Sequence, residues 1–313
     1  MRILVPENVP PRAADVRALA DRQRPSKHHL KAASLPSAPY RSLSSQMTSP
    51  DNSGIIPAMF RASTLSPFVY LTPALTEQDL VRSPLAINGM KLLHYIESNG
   101  GVPLTQSLGA FRRKCVEWAA HEFQWPGYEP EILYSVNKVL NEPDFPPLSM
   151  LHWALQDLRI IRHYKGMALL TKRGRSVLGN HGELQVVLAE WILAEPLQDN
   201  LSPEAAALFW DLRHMLGVIS NRLGDWVTLG VFTEWALPVD LFPVGGALGR
   251  RHEASFFIAR NFVRPLTWLG VLEESPMNAP GTSMMDRQFR KTIIFDRFFR
   301  ITLPTGFTTV VAH

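Results

Sequence analysis

A cluster of cationic side chains between residues 159 and 175 is the part of this sequence best suited to a chemical task. Its six Lys and Arg residues occur without an acidic residue, and His163 adds a further nitrogen donor. Contact with nucleic-acid phosphates needs long cationic side chains around a slim turn, which Lys165-Gly166 offers. The six cations are Arg159, Arg162, Lys165, Lys172, Arg173 and Arg175. We therefore interpret this segment as a candidate phosphate-binding hairpin.

A second basic group, Arg112, Arg113 and Lys114, begins a predicted helix and would extend the cluster if the fold brings it alongside. The helix predicted at 148–158, directly before the hairpin, argues against base recognition. Its predicted outward side chains are Ser149, His152, Gln156 and Asp157. None is an Arg or Lys, which a helix that contacts bases in the major groove would be expected to carry.

Motifs for catalysis and for metal binding are incomplete. "HEFQW" (121–125) and "HEASF" (252–256) place Trp125 and Phe256 where a zinc-protease helix needs its second histidine. "GGALGR" (245–250) lacks the spacing of a phosphate-binding glycine loop. Cys115 is better explained as a small core residue than as a catalytic thiol. We predict a protein that is not an enzyme, with no catalytic residue, no metal and no cofactor.

The elements around the basic segment occur in a recognisable order. The helix "LSMLHWALQDL" is followed by the strand "RIIRHY", a tight turn, the strand "MALLT" and a helix beginning at "KRGRSVL". A helix, a hairpin and a closing Thr-x-x-Gly are typical of a winged helix. We therefore predict a wing at the basic segment.

The pattern recurs in the second half of the chain. "LTWLGVLEE" (266–274) matches "LQDLRIIRH" (155–163) in its leucines and apolar pair, and "ITLPTG" (301–306) echoes "LLTKRG" (169–174). "KTIIF" (291–295) is predicted as a strand between them. We predict a mainly α protein with small β-hairpins (α+β), built of tandem winged-helix-like units.

Composition divides the 313 residues into an arm and a folded body. Residues 1–64 are rich in Pro and Ser and carry nine basic and four acidic residues, a net charge of +5, which leaves −1 for the rest. We predict a disordered basic arm at 1–64 and winged-helix-like domains at 65–182 and 183–313. A single cysteine, the absence of an apolar run of membrane-spanning length and a short apolar N-terminus predict a cytoplasmic protein that does not contact a membrane.

The stretch from about residue 83 to 180 resembles a winged-helix-like region of uncharacterised bacterial, plasmid and phage proteins, sometimes attached to domains of the plasmid pRiA4b ORF-3 type. The resemblance is carried by "VPLTQSLGAFRRKCVEWA" and by "LNEPDFPPLSMLHWALQDLRIIRHYKGMALLTKRGRSVL". The segment "LTQSLG" is one residue longer than the Leu-Thr-x-x-Gly of that pattern. The resemblance implies a helical, winged-helix-like fold and no established activity, so it assigns no catalytic residues to this chain.

Two functions remain open from the sequence. The first is a non-enzymatic nucleic-acid-binding or regulatory protein of a bacterium or mobile element that contacts double-stranded DNA through residues 159–175. The alternative is a protein-interaction or scaffolding module that uses the same fold without DNA. The near-neutral body and the apolar-rich "SFFIARNFVRPLTWLGVL" (255–272) favour the alternative, either with a protein partner or by self-association.

Overall fold

The computed structural model describes residues 58–194, 212–237, 247–278 and 281–302. In these ranges the protein is α+β, with helices and three antiparallel sheets of three strands each. Most of the predicted arm, residues 1–57, lies outside the described residues. Residues 58–64 of the predicted arm contain strand β1 (Arg61–Ala62), which pairs with β2 (Val69–Leu71).

The first half of the chain surrounds the basic hairpin with helices. In chain order its elements are α1 (Pro84–Ser98), β3 (Val102–Pro103), α2 (Arg113–Glu122), α3 (Pro130–Val136), a 3₁₀ turn (Glu142–Asp144), α4 (Pro146–Asp157), β4 (Ile161–Tyr164), β5 (Met167–Leu170), α5 (Lys172–Val177) and α6 (His181–Ile192). Ser83 caps α1, because its Oγ accepts a hydrogen bond from the Ala86 N–H while Pro84 occupies the first helical position. The sheet has the order β3-β5-β4.

The hairpin of β4 and β5, here the first hairpin, has a two-residue turn. Its register runs from Ile161 opposite Leu170 to Tyr164 opposite Met167. Lys165 and Gly166 both have positive φ, at 49° and 73°. Consecutive positive φ values give a turn whose twist matches that of the strands, and Gly166 adopts this conformation without strain.

The second half repeats the order of the first. Its elements are α7 (Leu212–Arg222), β6 (Val227–Thr228), α8 (Leu229–Ala236), α9 (Ala247–Ile258), a π-helical segment (Ala259–Val263), α10 (Arg264–Trp268), β7 (Leu272–Glu274), a 3₁₀ turn (Met284–Asp286), β8 (Gln288–Lys291), α11 (Ile293–Phe298) and β9 (Phe299–Ile301). The sheet order β6-β8-β7 reproduces β3-β5-β4, since the first strand pairs with the last in each case. We call the pair β7 and β8 the second hairpin.

Matching hydrogen bonds close the two hairpins. The Thr171 hydroxyl donates to the carbonyl of Arg159, and the Thr292 hydroxyl donates to the carbonyl of Gly270, both at 2.7 Å. The residues at 159 and 270 have positive φ, at 56° and 71°. The segments "LQDLRIIRH" and "LTWLGVLEE" thus share a positive-φ residue and a threonine bond, with Thr292 as the counterpart of Thr171.

The position predicted for the second closing motif was wrong. Thr292 lies inside "KTIIF", where it caps α11, so this segment is the end of a strand and the start of a helix. Ile301, predicted to begin the echo "ITLPTG", ends β9 and pairs with Val69, and residues 303–306 of that echo lie outside the described residues. The β-branched residues after Thr292 resemble a strand in isolation, but the threonine cap turns them into a helix.

The two halves are joined by a shared sheet and a buried polar contact. Strand β2, near the start of the described residues, pairs with β9, near their end, and forms the sheet β1-β2-β9. The fully buried Gln185 accepts from Ser83 Oγ at 2.9 Å and donates to the Leu269 carbonyl at 2.7 Å. The predicted boundary between residues 182 and 183 falls inside α6, which packs on α1. Within the described ranges, no helix has the length and apolarity needed to cross a bilayer.

Candidate nucleic-acid interface at the first hairpin

One face of the first hairpin carries two cations around an aromatic ring. The guanidinium carbon of Arg162 lies 5.4 Å from the ring centroid of Tyr164, and the Lys165 Nζ lies 5.3 Å from it. The ring itself is half exposed. Cation–π attraction holds both charges close to the turn. The hairpin therefore presents a compact cationic tip to solvent.

The start of α2, which carries the second predicted group of cations, lies beside this tip. The Leu104 N–H donates to the Gly166 carbonyl at 2.8 Å, and the Arg112 Nε donates to the Leu104 carbonyl at 3.2 Å. Arg113 and Lys114 follow Arg112 as exposed residues of the first turn of α2. The structure thus brings Arg112 next to the hairpin turn and places two further cations on the adjacent helix.

The remaining predicted cations lie at the base of the hairpin. Arg159 and Lys172 are exposed, and the exposed Arg173 donates to the Leu158 carbonyl at 2.8 Å. Arg175 forms an ion pair with Glu97 at 3.0 Å. In the part of the chain that the structure describes, Arg175 is the one predicted site residue whose charge is paired with an acid. The rest of the patch keeps its positive charge.

His163 extends from the opposite face of β4 into a chain of buried polar groups. Its Nε2 lies 2.8 Å from the Nε2 of His152, and the Nδ1 of His152 lies 2.8 Å from Oε1 of Glu142. Glu142 Oε2 accepts a hydrogen bond from the Phe111 N–H. Glu142 and His152 are almost fully buried, and the imidazole of His152 stacks on Phe111 with the centroids 3.9 Å apart. The first hairpin is therefore tied to α4 by a Glu–His–His chain.

Burial shifts the acid–base properties of two groups near this chain. It lowers the pKa of His163 below its usual value, the neighbouring His152 adds to the effect, and Glu142 opposes it. Burial also raises the pKa of the Cys115 thiol far above its usual value, and the Glu142 carboxylate adds to that shift. The thiol thus stays protonated at neutral pH and behaves as a core group.

Helix α4 does not present the outward polar face predicted from the sequence. Ser149 and His152 are buried, so half of that prediction was wrong, while Gln156 and Asp157 are exposed. Eight of the twelve residues of α4 are buried, because the helix is apolar on almost every side and is covered by the 3₁₀ turn and by α6. Asp157 also accepts a hydrogen bond from the Trp191 indole at 3.2 Å. Helix α4 therefore offers no cationic surface to a DNA groove.

Glu142 and the buried role of His152 were missed by the sequence analysis. Ten residues separate Glu142 from His152, and eleven separate His152 from His163, so no helical or strand spacing links them. Two signals were present. Asn141 and Asp144 form a capping box that fixes the 3₁₀ turn, and the nearly continuous apolar character of 147–155 indicates a helix that is buried all round.

The second hairpin is rich in cations, but acidic residues neutralise them. Glu273 pairs with Arg290 at 2.6 Å and with Arg82 at 3.4 Å, and Glu274 pairs with Arg287. An open cleft of about 500 Å³ lies against this hairpin and is lined by several of these paired side chains. Across the described ranges no group of three or more His, Cys, Asp or Glu residues is placed to hold a metal ion.

Comparison with known proteins places the similarity in the first half. Residues 81–183 match the model of the Y4jL N-terminal domain, a range that runs from just before α1 into the first turn of α6. The chain is similar to the uncharacterized protein y4jL of Sinorhizobium fredii (strain NBRC 101917 / NGR234), with 47% identity over 96 residues. This alignment covers 31% of the present chain and 43% of that protein, so the chain spans less than half of the relative's length. No solved structure matches the chain.

Proposed function

We propose that this protein binds double-stranded DNA through phosphate contacts made by the first hairpin and the start of α2. The observation that carries the proposal is the unneutralised charge of the hairpin, compared with a second hairpin of the same topology whose cations are paired. A positive patch in an otherwise near-neutral body supports a polyanionic partner. On this basis the protein is a non-enzymatic DNA-binding or regulatory protein of a bacterium or mobile element.

The two halves are, in this proposal, tandem winged-helix-like units. Support comes from the order helix, strand, helices, strand, strand in each half, with the first strand paired to the last. The threonine that closes each hairpin makes the same bond in both. The first hairpin then corresponds to a wing, and α4 occupies the position of the helix that contacts bases in DNA-binding members of this class.

The buried α4 makes the proposed contact one of shape and charge rather than of base sequence. Phosphate contacts fix position on a duplex without reporting its sequence. With about three to five phosphates neutralised, we expect nonspecific dissociation constants of roughly 10⁻⁴ to 10⁻⁶ M near physiological salt. The proposal therefore predicts weak, strongly salt-dependent binding with little preference between duplexes.

The test is a salt titration of duplex binding with a matched control. Full-length protein is titrated against labelled duplexes of unrelated sequence by fluorescence anisotropy. The triple variant Arg162→Ala, Lys165→Ala, Lys172→Ala should flatten the slope of log affinity against log salt by roughly two to three units, since each lost phosphate contact removes about 0.9. The control variant Arg287→Ala, Arg290→Ala, Lys291→Ala removes the same charge from the second hairpin and should change the slope by less than about one unit.

Using the full chain keeps the basic N-terminal segment constant in all three proteins, so the difference between variants reports the hairpins alone. An unchanged slope in the first-hairpin variant, or equal changes in both variants, would contradict the proposal. The three side chains replaced in the first hairpin are exposed and contribute little to stability, so that variant should remain folded. Far-UV circular dichroism checks the fold of both variants, because Arg290 and Lys291 of the control are partly buried.

A protein-interaction role is the second candidate, and one surface favours it. Ile132 and Val136 lie one turn apart on α3 and are 48% and 47% exposed, with Val139 nearby at 45%. The apolar-rich segment 255–272, which favoured this role in the sequence, is instead largely buried within the chain. Size-exclusion chromatography with light scattering tests self-association. A concentration-dependent dimer that Ile132→Lys abolishes would support this role, and a monomer at high concentration would exclude the homo-oligomeric form.

A further inference from the structure

The donor and acceptor roles along the Glu142–His152–His163 chain follow from its inner end. The two oxygens of Glu142 accept from the Phe111 N–H and, in the tautomer of His152 that carries its hydrogen on Nδ1, from that nitrogen. In this tautomer Nε2 of His152 carries no hydrogen and accepts from the Nε2–H of His163 at 2.8 Å. A neutral His163 is left with an unprotonated Nδ1. A further proton can therefore enter at this outer nitrogen without disturbing any buried bond.

His163 is an exposed residue, and its outer nitrogen lies next to the loop that leads into α2. A Cβ atom placed on Gly109 would lie 3.5 Å from this Nδ1, so the glycine leaves the edge of the ring uncrowded. Within the described ranges no protein group forms a hydrogen bond with it. The chain thus ends in an unpartnered nitrogen on the face of the hairpin opposite Arg162 and Tyr164, beside the loop that leads to Arg112, Arg113 and Lys114.

The charged surroundings of His163 come from several elements. Helix α4 packs on β4, and α1 and α5 pack on β5. The titratable and charged groups on these elements, on the adjoining 3₁₀ turn, at the start of α2 and on the hairpin itself are Lys91, His94, Tyr95 and Glu97 from α1, Arg112 and Cys115 from the start of α2, Glu142 and Asp144 from the 3₁₀ turn, His152 and Asp157 from α4, Arg162, Tyr164 and Lys165 from the hairpin, and Lys172, Arg173 and Arg175 from α5. Strand β5 contributes none. The group in direct contact is His152, with Glu142 behind it.

We propose that His163 is a proton-coupled phosphate ligand, which takes up one proton at Nδ1 when a DNA phosphate binds the first hairpin. The buried Glu142 carboxylate, acting through His152, orients the ring and balances the charge of the imidazolium. The phosphate supplies the second negative neighbour that the free protein lacks. This inference rests on the proposed DNA contact and identifies its regulation, namely that the hairpin binds phosphates more tightly in acid.

A bound phosphate fixes the sign of the pH dependence, because a negative neighbour favours the charged form of His163. Burial lowers the pKa of His163 in the free protein, and a bound phosphate raises it again. Affinity must therefore increase as the pH falls from about 8 to about 5, because the DNA complex binds more protons than the free protein. One additional phosphate contact should steepen the salt slope by about 0.9 and raise affinity roughly five- to tenfold at about 0.1 M salt.

The experiment measures duplex binding by full-length protein at about pH 5 and about pH 8, across a salt series, for wild type and for His163→Gln. The control is His252→Gln, which removes an exposed histidine of α9 in the second half of the chain. In wild type and the control, the slope of log affinity against log salt should steepen by about 0.9 from about pH 8 to about pH 5. In His163→Gln this pH-dependent steepening should be lost. All other histidines are common to the compared proteins, so the difference isolates His163. Side-chain ¹⁵N spectra with and without duplex should show that Nδ1 of His163 becomes protonated in the complex.

The outcomes separate the two proposals. Binding at both pH values with the same pH effect in wild type and His163→Gln would overturn the proton coupling and leave the DNA contact standing. Absence of binding at every pH and salt concentration would overturn both. A loss of the pH effect in His163→Gln without protonation of Nδ1 in the spectra would also overturn the inference, because the histidine would then act only through the shape of the hairpin.

Discussion

The two hairpins share a strand order and a closing threonine but carry opposite charge where Arg162 corresponds to Glu273. Counting from the matched turns at Arg159 and Gly270, Arg162 corresponds to Glu273 and His163 corresponds to Glu274. In the second hairpin the two glutamates bind arginines and consume their charge. In the first hairpin the cations are left to solvent. The difference teaches that a few side chains on a shared topology decide whether a hairpin keeps its positive charge unpaired.

The helices that support the two hairpins also differ at an equivalent position, which is polar in the first half and apolar in the second. His152 lies three residues before Leu155, and the equivalent position before Leu266 is Val263, which is buried among apolar side chains. The first hairpin is therefore anchored to its helix by polar bonds, whereas the second is anchored by apolar packing. Removing a buried polar bond should therefore lower the stability of the first hairpin more than removing an exposed ion pair lowers that of the second.

The largest effect is expected from removing the buried carboxylate. Glu142→Leu leaves the Phe111 N–H and the His152 Nδ1–H buried without an acceptor, so we expect the free energy of unfolding to fall by about 3–5 kcal/mol. The matched change Glu273→Leu breaks solvent-accessible ion pairs of the second hairpin and should cost about 1 kcal/mol or less. Urea unfolding followed by tryptophan fluorescence measures both. Equal losses would show that the two hairpins are anchored alike.

An intermediate effect is expected at the matched positive-φ positions. A Cβ on Gly270 would lie 2.6 Å from the Arg82 carbonyl oxygen, so Gly270→Ala should destabilise the protein by roughly 1–3 kcal/mol. Arg159 adopts the same backbone conformation with a side chain, so Arg159→Gly should relieve strain and stabilise by up to about 1 kcal/mol. Thermal unfolding of the two variants should shift the midpoint in opposite directions. Shifts of the same sign would break the equivalence of these positions.

The smallest effect on stability should accompany a clear effect on binding. Arg162→Glu gives the first hairpin the charge of the second, and Glu273→Arg does the reverse. We expect the unfolding free energy to change by less than about 0.5 kcal/mol for Arg162→Glu, since the residue is exposed. The salt slope of duplex binding should flatten by about one to two units for Arg162→Glu. A slope that changes only in Glu273→Arg would move the DNA contact to the second hairpin.

Elements formed by neighbouring residues were predicted well from the sequence. Sites formed by residues that are distant in the sequence were predicted poorly. The first hairpin and its closing threonine were found because alternation, a turn glycine and a capping residue all lie within about twenty residues. The second closing threonine was misplaced because Ile293 and Ile294 resemble a strand. The Glu142–His152–His163 chain was invisible because its members meet only after the 3₁₀ turn, α4 and β4 have folded together. Ser149 is buried because α6 and the 3₁₀ turn cover α4. The helical periodicity of α4 alone does not indicate which other elements will cover it.

The pairing of β2 with β9 sets an order of events during synthesis of the chain. Val69 meets Ile301 in this sheet, so β2 leaves the ribosome long before its partner exists. Helix α1, the first hairpin and α6 involve near neighbours in the sequence and can fold in the meantime, because local contacts require less loop closure. Val69 and Leu71, fully buried in the finished protein, must stay uncovered by β9 until residues 299–301 have been synthesised. The sheet β1-β2-β9 can therefore form only after β9, the last described strand, has left the ribosome.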